Sequence, residues 1–284
     1  MEKMMNYKQE FRALYLDKNI SQYEKDSEID FVIEMLTGLK SIDFIRGKSL
    51  DEDECQQITS VLKKRIKTNV PLQYLVGEAY FAGNRYFVDK HTLIPRPETE
   101  IAVEKSLSKF AKQESLKILD IGTGSGCISV ELAKFYEKSE ITACDISEKA
   151  LAVAKKNACR YFVDSRINFV CSDVFSGITG NFNLIVSNPP YISKKDVNRV
   201  QGDVFAFEPH NALFADDDGL FFYKKIIKEA ENYLLDKGYI VFELGENQSS
   251  EVADYFLQNG FVNIELTKDL DGINRVISAQ KYLS

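Results

Sequence analysis

The first hydrophobic positions of the chain are spaced for helix rather than strand. In S-E-I-D-F-V-I-E-M-L-T-G-L (27–39), Ile29, Val32, Ile33 and Leu36 fall on one face, and Gly38 supplies a stop. Ser49-Leu50-Asp51-Glu52 has capping-box spacing, in which the Ser49 hydroxyl and the Glu52 carboxylate satisfy free N–H groups at a helix start. Cys55, Ile58, Leu62 and Ile66 continue at helical intervals until Asn69-Val70-Pro71 breaks the pattern. Residues 1–71 are therefore expected to form a small helical bundle, used for packing or for docking a partner. Residues 72–94 set aromatic and β-branched residues between glycines, the pattern of a β-hairpin linker. A domain of 95–284 follows, its first helix opening at Glu98-Thr99-Glu100 after Pro97.

Beyond residue 115 the period alternates. Segments 116–121, 141–144, 167–171, 184–186 and 239–242 read as strands, and 261–267 and 273–280 as two closing strands. Helical patterns fill about 127–136, 147–161 (capped by Ser147), 219–235 and 248–258. This alternation predicts an α/β fold, a mainly parallel Rossmann-like sheet with helices on both faces.

Composition narrows the function. No apolar run approaches the ~18–20 residues of a membrane span, and the N-terminal M-E-K-M-M-N-Y-K-Q-E-F lacks the apolar core of a secretory signal. Cys55, Cys127, Cys144, Cys159 and Cys171 are scattered without a C-x-x-C pair, as expected of reduced thiols in a cytoplasmic protein. His91 and His210 lie far apart in sequence, so no metal site is expected. The net charge of −7 argues against a dedicated nucleic-acid binder, which needs Lys and Arg against phosphates.

Two stretches carry chemistry. D-I-G-T-G-S-G-C (120–127) follows the first sheet strand and opens a helix, so Gly122, Thr123, Gly124, Ser125 and Gly126 form a ligand-cradling turn at the sheet's C-terminal edge. A dinucleotide fingerprint would require glycine where Cys127 stands, which weakens a dehydrogenase reading. Asp145, ending the second strand, can accept hydrogen bonds from a ribose diol. Asp173, Val174 and Phe175 after the third strand are expected to border an adenine, Asp173 accepting from its amine and Val174 or Phe175 packing on its face.

The fourth strand ends in N-P-P-Y (188–191). Each proline holds the residue before it extended, and neither proline nitrogen can donate. The Asn188 side-chain oxygen and the Pro189 carbonyl are thus two acceptors suited to one planar NH2 group, with Pro190 shaping the turn and Tyr191 offering an aromatic face. Holding both NH2 hydrogens aims the nitrogen lone pair at an electrophile and favours the positive charge developing on it. With the glycine loop, that electrophile is expected to be the methyl group of S-adenosyl-L-methionine. Asn188, Pro189 and Tyr191 are the expected catalytic residues, with Asn188 facing the cofactor as well.

These motifs resemble the HemK/PrmC family, enzymes that methylate the glutamine side chain of peptide-chain release factors. The resemblance spans nearly the whole chain. It includes P-L-Q-Y-L-V-G (71–77), F-A-G-N-R-Y-F-V (81–88), L-I-P-R-P-E-T-E (93–100), D-I-G-T-G-S-G (120–126), V-S-N-P-P-Y-I (186–192) and E-P-H-N-A-L (208–213). It implies a class I methyltransferase sheet. It implies S-adenosyl-L-methionine on Gly122 through Gly126, Asp145 and the 173–175 loop, with S-adenosyl-L-homocysteine as product. It further implies that Asn188, Pro189, Pro190 and Tyr191 hold the glutamine of the Gly-Gly-Gln tip of class-1 release factors, and that the helical N-terminal domain helps grip that protein. The family often has an aromatic residue where Val174 stands. N-P-P-Y alone is shared with adenine-N6 and guanine-N2 methyltransferases, so the rival reading is a DNA or RNA amino-methyltransferase that flips an adenine into the same pocket. A catalytically silent methyltransferase fold used for binding is a third reading. The sequence leaves the roles of Arg96 and Glu98 open.

Overall fold

The computed structural model describes residues 2–15 and 20–282, with residues 2–7 given by their backbone alone. The chain divides into two compact units, 1–78 and 79–284.

In the first unit, Ser21 caps α2 (Gln22–Thr37) in a capping box with Glu24, and Gly38 ends it in the left-handed region at φ 73°. The next box is not the expected one. Asp51, rather than Ser49, caps α4 (Glu52–Thr68), and its partner is Glu54 rather than Glu52. A carboxylate at that cap also faces the positive end of the helix dipole, an advantage that the Ser49 register lacks. With α1 (Glu2–Ala13), α3 (Ser41–Ile45) and α5 (Leu72–Val76), these helices enclose Phe11, Ile29, Val32, Ile58, Leu62 and Leu72. The segment 72–94 is therefore shared: α5 packs in the helical unit, whereas the hairpin of β1 (Glu78–Phe81) and β2 (Asn84–Phe87) runs into the second.

The second unit is built on a seven-stranded sheet. In chain order its strands are β3 (Lys117–Ile121), β4 (Glu140–Asp145), β5 (Ile167–Cys171), β6 (Phe182–Ser187), β9 (Leu234–Glu243), β10 (Phe261–Lys268) and β11 (Asn274–Lys281). Their spatial order is β10-β11-β9-β6-β3-β4-β5, parallel from β9 to β5, with β11 and β10 antiparallel at one edge. Alternate side chains go to opposite faces. Ile118, Val186 and Val241 pack under α6 (Pro97–Leu107), α7 (Cys127–Phe135) and α8 (Glu148–Arg160). Leu119, Ile185 and Ile240 pack under α10 (Phe221–Ala230) and α11 (Ser249–Gln258). A short pair, β7 (Ile192–Ser193) with β8 (Phe214–Ala215), anchors the chain just after N-P-P-Y, and α9 (Gly202–Phe207) lies between them in sequence.

The helix expected over 219–235 is shorter, because α10 stops at Ala230 and Leu234 begins β9. Phe182 N–H donates to the Tyr233 carbonyl, and Leu234 pairs with Phe182. A register shift follows, with Lys237 at φ 62°. Sheet pairing thus overrides a helical spacing that the leucines alone continue.

Candidate active site

One row of the sheet register delivers the site. Phe242, Ser187, Ile121 and Cys144 are neighbours across four parallel strands. The residue after each is Glu243, Asn188, Gly122 and Asp145. The carboxyl edge of the sheet therefore collects an acid, an amide, a glycine turn and a second acid in adjacent positions, where open α/β sheets bind ligands.

The glycine turn is held from both sides. Asp145 Oδ2 accepts from Gly124 N–H at 3.0 Å, and Oδ1 accepts from Ser147 N–H at 2.9 Å. Each oxygen keeps capacity to accept from a ligand. Burial raises the Asp145 carboxyl, opposed by those backbone N–H groups. Gly126, at φ 78°, touches α8: a Cβ there would lie 2.8 Å from the Ala154 Cβ. Beneath the turn Asp120 is buried, accepting at Oδ2 from Thr123 Oγ1 (2.7 Å) and Ser129 Oγ (2.6 Å). Burial pushes its carboxyl up to about 6.

A cavity of about 350 Å³ lies over this turn, a size usual for small-ligand pockets of ~300–1,000 Å³. Gly122, Thr123, Gly124, Ser125, Asp145, Asp173, Val174, Asn188, Pro189 and Pro190 line it, so nearly all the sequence candidates converge. Gly126 stands behind as the N-cap of α7. Asp173 sits at the rim, paired with Lys225 at 2.8 Å. Phe175 does not join them. It is 2 % exposed and stacks on Tyr233 with centroids 4.3 Å apart, so it packs into the core beneath the wall that it was expected to form. Val174 forms that wall from a left-handed backbone, φ 53°, with its carbonyl accepting from Ser172 Oγ at 2.9 Å. A β-branched residue there carries strain of order 1–3 kcal/mol, and such strain gathers at functional sites.

A second cavity of about 880 Å³ adjoins, and Leu93, Asn188 and Ala212 face both spaces. Tyr191 lines the larger one, with its hydroxyl donating to Glu243 Oε1 at 3.2 Å. Charges of both signs surround it, among them Arg199, Arg275, Glu246 and Glu251. The N-P-P-Y backbone is fixed at both ends: Ser187 Oγ donates to the Ile121 carbonyl at 2.7 Å, and Gln248 Nε2 donates to the Tyr191 carbonyl at 2.9 Å. Asn188 Nδ2 donates to Thr99 Oγ1 at 3.1 Å. Among the described residues neither the Asn188 Oδ1 nor the Pro189 carbonyl accepts a hydrogen bond. Asn188 thus brings an unused acceptor to the junction of the cavities, and Pro189, in the wall of the smaller one, brings a second.

Sequence reasoning passed over Thr99, Glu243 and Glu208. Glu243 ends a buried strand at the same edge as Asp145, and the logic that singled out Asp145 could have found it. Arg96 ion-pairs with Glu208, whose other oxygen accepts from Ile94 N–H at 3.1 Å. L-I-P-R-P-E-T-E is in this way clasped to E-P-H-N-A-L. Glu98 lines the larger cavity.

The family described as Methyltransferase small domain matches residues 98–216. The release factor glutamine methyltransferase of Fusobacterium nucleatum is 38% identical, aligned over 95% of this chain and 77% of its own length. That of Lactococcus lactis is 40% identical over 90% of this chain and 95% of its own. The chain belongs to the release factor glutamine methyltransferases. A methyltransferase from Pyrococcus furiosus, 17% identical, matches in fold with a TM-score of 0.54 over 72% of this chain and 91% of that one. The sheet of this family member is accordingly the Rossmann-like class I methyltransferase sheet, preceded in sequence by its helical unit.

Proposed function

We propose that the protein transfers a methyl group from S-adenosyl-L-methionine to the side-chain amide nitrogen of glutamine in the Gly-Gly-Gln motif of class-1 release factors. Its relatives in Fusobacterium nucleatum and Lactococcus lactis carry the matching name. The observation that carries the reading is the pair of unfilled acceptors on adjacent residues, Asn188 Oδ1 where the two cavities meet and the Pro189 carbonyl beside it.

The smaller cavity suits the donor. Gly122 and Gly124 put no side chain between backbone and ligand, Asp145 retains acceptor capacity for a ribose diol, and Val174 gives an apolar wall for an adenine. When bound, the donor supplies a methyl group already activated by a sulfonium. The chain's own part is geometric. Asn188 and Pro189 accept from the two amide hydrogens, which removes rotational freedom and favours positive charge on the nitrogen as it attacks; one of those hydrogens then leaves as a proton to solvent, giving the neutral methylated amide. Tyr191 packs beside the amide, and Pro190 keeps the turn rigid.

The larger cavity admits the glutamine side chain, and its mixed charge suits a protein surface better than a phosphate backbone. In this reading the helical unit of residues 1–78 grips the release factor, and the enzyme works in the cytoplasm, where unpaired cysteines such as Cys127 and Cys144 stay reduced. The test is transfer of labelled methyl from S-adenosyl-L-methionine to a release factor and, separately, to double-stranded DNA, with mass spectrometry to locate the product. Label on the Gly-Gly-Gln glutamine supports the reading. Label on DNA alone replaces it with base methylation.

A further inference from the structure

Glu243 has no part in the chemistry above, yet it is an acid 1 % exposed at the end of a core strand. Its Oε2 accepts from the Thr99 hydroxyl at 2.5 Å, and its Oε1 accepts from the Tyr191 hydroxyl at 3.2 Å. Thr99 has one hydroxyl proton, and that bond uses it. The Thr99 oxygen can then only accept, and the group 3.1 Å away is the Asn188 amide. An amide can meet an acceptor only through its NH2. The Asn188 carbonyl oxygen must therefore turn the other way, into the junction of the cavities. One carboxylate thus holds both ends of N-P-P-Y, directly at Tyr191 and through Thr99 at Asn188.

We propose that Glu243, acting through Thr99, is a positioning residue that fixes the Asn188 amide with its oxygen toward the substrate and so makes the site selective for glutamine over glutamate. The proposal rests on the function given above. A reversed Asn188 would set its own NH2 against the substrate NH2, donor against donor, and would welcome a carboxylate instead. The fixed orientation offers acceptors only, which an ionised glutamate cannot use. Gln248 anchors the loop backbone separately, through the Tyr191 carbonyl at 2.9 Å and the Gly245 N–H at 3.1 Å. Loss of the Thr99 hydroxyl should then free the amide to turn while leaving the loop in place.

The test compares wild type with Thr99→Val, Thr99→Ser and Glu243→Leu in the full chain. Four readouts are used: thermal unfolding, S-adenosyl-L-methionine affinity by calorimetry, kcat and KM on a release factor, and solvent exchange of the Asn188 side-chain NH2 by 15N NMR. That NH2 signal is assigned by its absence in Asn188→Ala. Inhibition by a release factor carrying Gly-Gly-Glu is measured alongside. Thr99→Val should fold, keep cofactor affinity, lose at least about tenfold in kcat, exchange its Asn188 NH2 about tenfold faster, and bind the Gly-Gly-Glu competitor relatively better. Thr99→Ser, which restores the hydroxyl, should match wild type. Wild-type kcat and exchange in Thr99→Val would overturn the proposal, as would equal losses in Thr99→Ser. If Thr99→Val does not fold, Glu243→Leu decides. Leucine accepts from neither hydroxyl, so the Thr99 proton is free to meet the Asn188 oxygen; faster exchange or lower kcat supports the proposal, and wild-type values of both overturn it. If the wild-type protein leaves release factors unmethylated, the functional reading falls, and NH2 exchange still decides whether Thr99 holds Asn188.

Discussion

Arg96 and Glu208 form an ion pair across 112 residues of sequence, joining the segment before α6 to the segment before β8. The Glu208 carboxylate is 1 % exposed, so removal of Arg96 strands a buried charge. Arg96 is 32% exposed, and water screens part of the loss. Arg96→Ala is expected to cost about 1–3 kcal/mol in urea unfolding. Glu208→Gln should cost less, since it keeps an acceptor for Ile94 N–H without a buried charge. The double variant should be more stable than Arg96→Ala alone. A double-mutant cycle with no coupling would reject the clasp.

Gly126→Ala tests the packing of the glycine turn on α8. The new Cβ would meet Ala154 at 2.8 Å and would also hold a left-handed backbone. Overpacking of this kind costs about 1–3 kcal/mol, so both the melting temperature and cofactor affinity should fall. Equal loss is not expected from Gly180→Ala, where the added Cβ meets nothing within 4 Å.

Asp145→Asn should weaken cofactor binding at least about tenfold, because the carboxylate accepts from the N–H groups of Gly124 and Ser147 at once. An amide turns one of those contacts into donor against donor. Asn188→Ala, at a residue that faces both cavities, should weaken cofactor binding less than Asp145→Asn does, while turnover falls about 10²–10³-fold. Calorimetry and steady-state kinetics on the two variants separate the effects. A swap of the two phenotypes would refute the assignment of cofactor and substrate halves.

Activity should decline as pH falls through about 7. Burial, the largest cause, pushes Glu243 up to about 7, while hydrogen bonds from Thr99 and Tyr191 pull it down; the charge of Glu98 raises it and Arg275 lowers it. From α10, Tyr223 donates to its backbone carbonyl at 3.0 Å. Only ionised Glu243 can accept from both hydroxyls, and protonation turns one oxygen into a donor. Stability runs the other way. An unfolded glutamate titrates near ~4.3, whereas folded Glu243 keeps its proton to about 7. Its contribution is fully present below ~4.3 and is lost as pH rises through about 7. Glu243→Gln cannot ionise, so its melting temperature relative to wild type should be higher at pH 8 than at pH 5. A relative melting temperature that does not rise with pH would contradict this.

The strands of the sheet were legible because their apolar runs are short, separated and β-rich, and the register then follows from parallel packing. The glycine turn, Asp145 and N-P-P-Y were legible because each stands at the end of a strand or directly after it. Ser49 misled because two overlapping cap patterns begin two residues apart, and only the helix dipole and local geometry choose Asp51. The helix over 219–235 was overextended because Leu234 and Leu235 continue an α spacing that pairing with Phe182 interrupts. Phe175 was misplaced because a loop sequence does not say which of two adjacent apolar residues turns inward; the left-handed Val174 decides it. Thr99 and Glu243 lie 144 positions apart, and Arg96 and Glu208 lie 112 apart. Only the folded sheet brings either pair together.

The backbone of Val174 at φ 53° has a consequence for how this protein can be improved. Glycine or asparagine would occupy that conformation with less strain, so a search for heat-resistant variants should be drawn to this position early. Each such replacement would also remove an apolar side chain from the wall of the smaller cavity. Selection for durability and selection for turnover should therefore pull residue 174 in opposite directions, and variants enriched under heat alone should lose grip on the methyl donor.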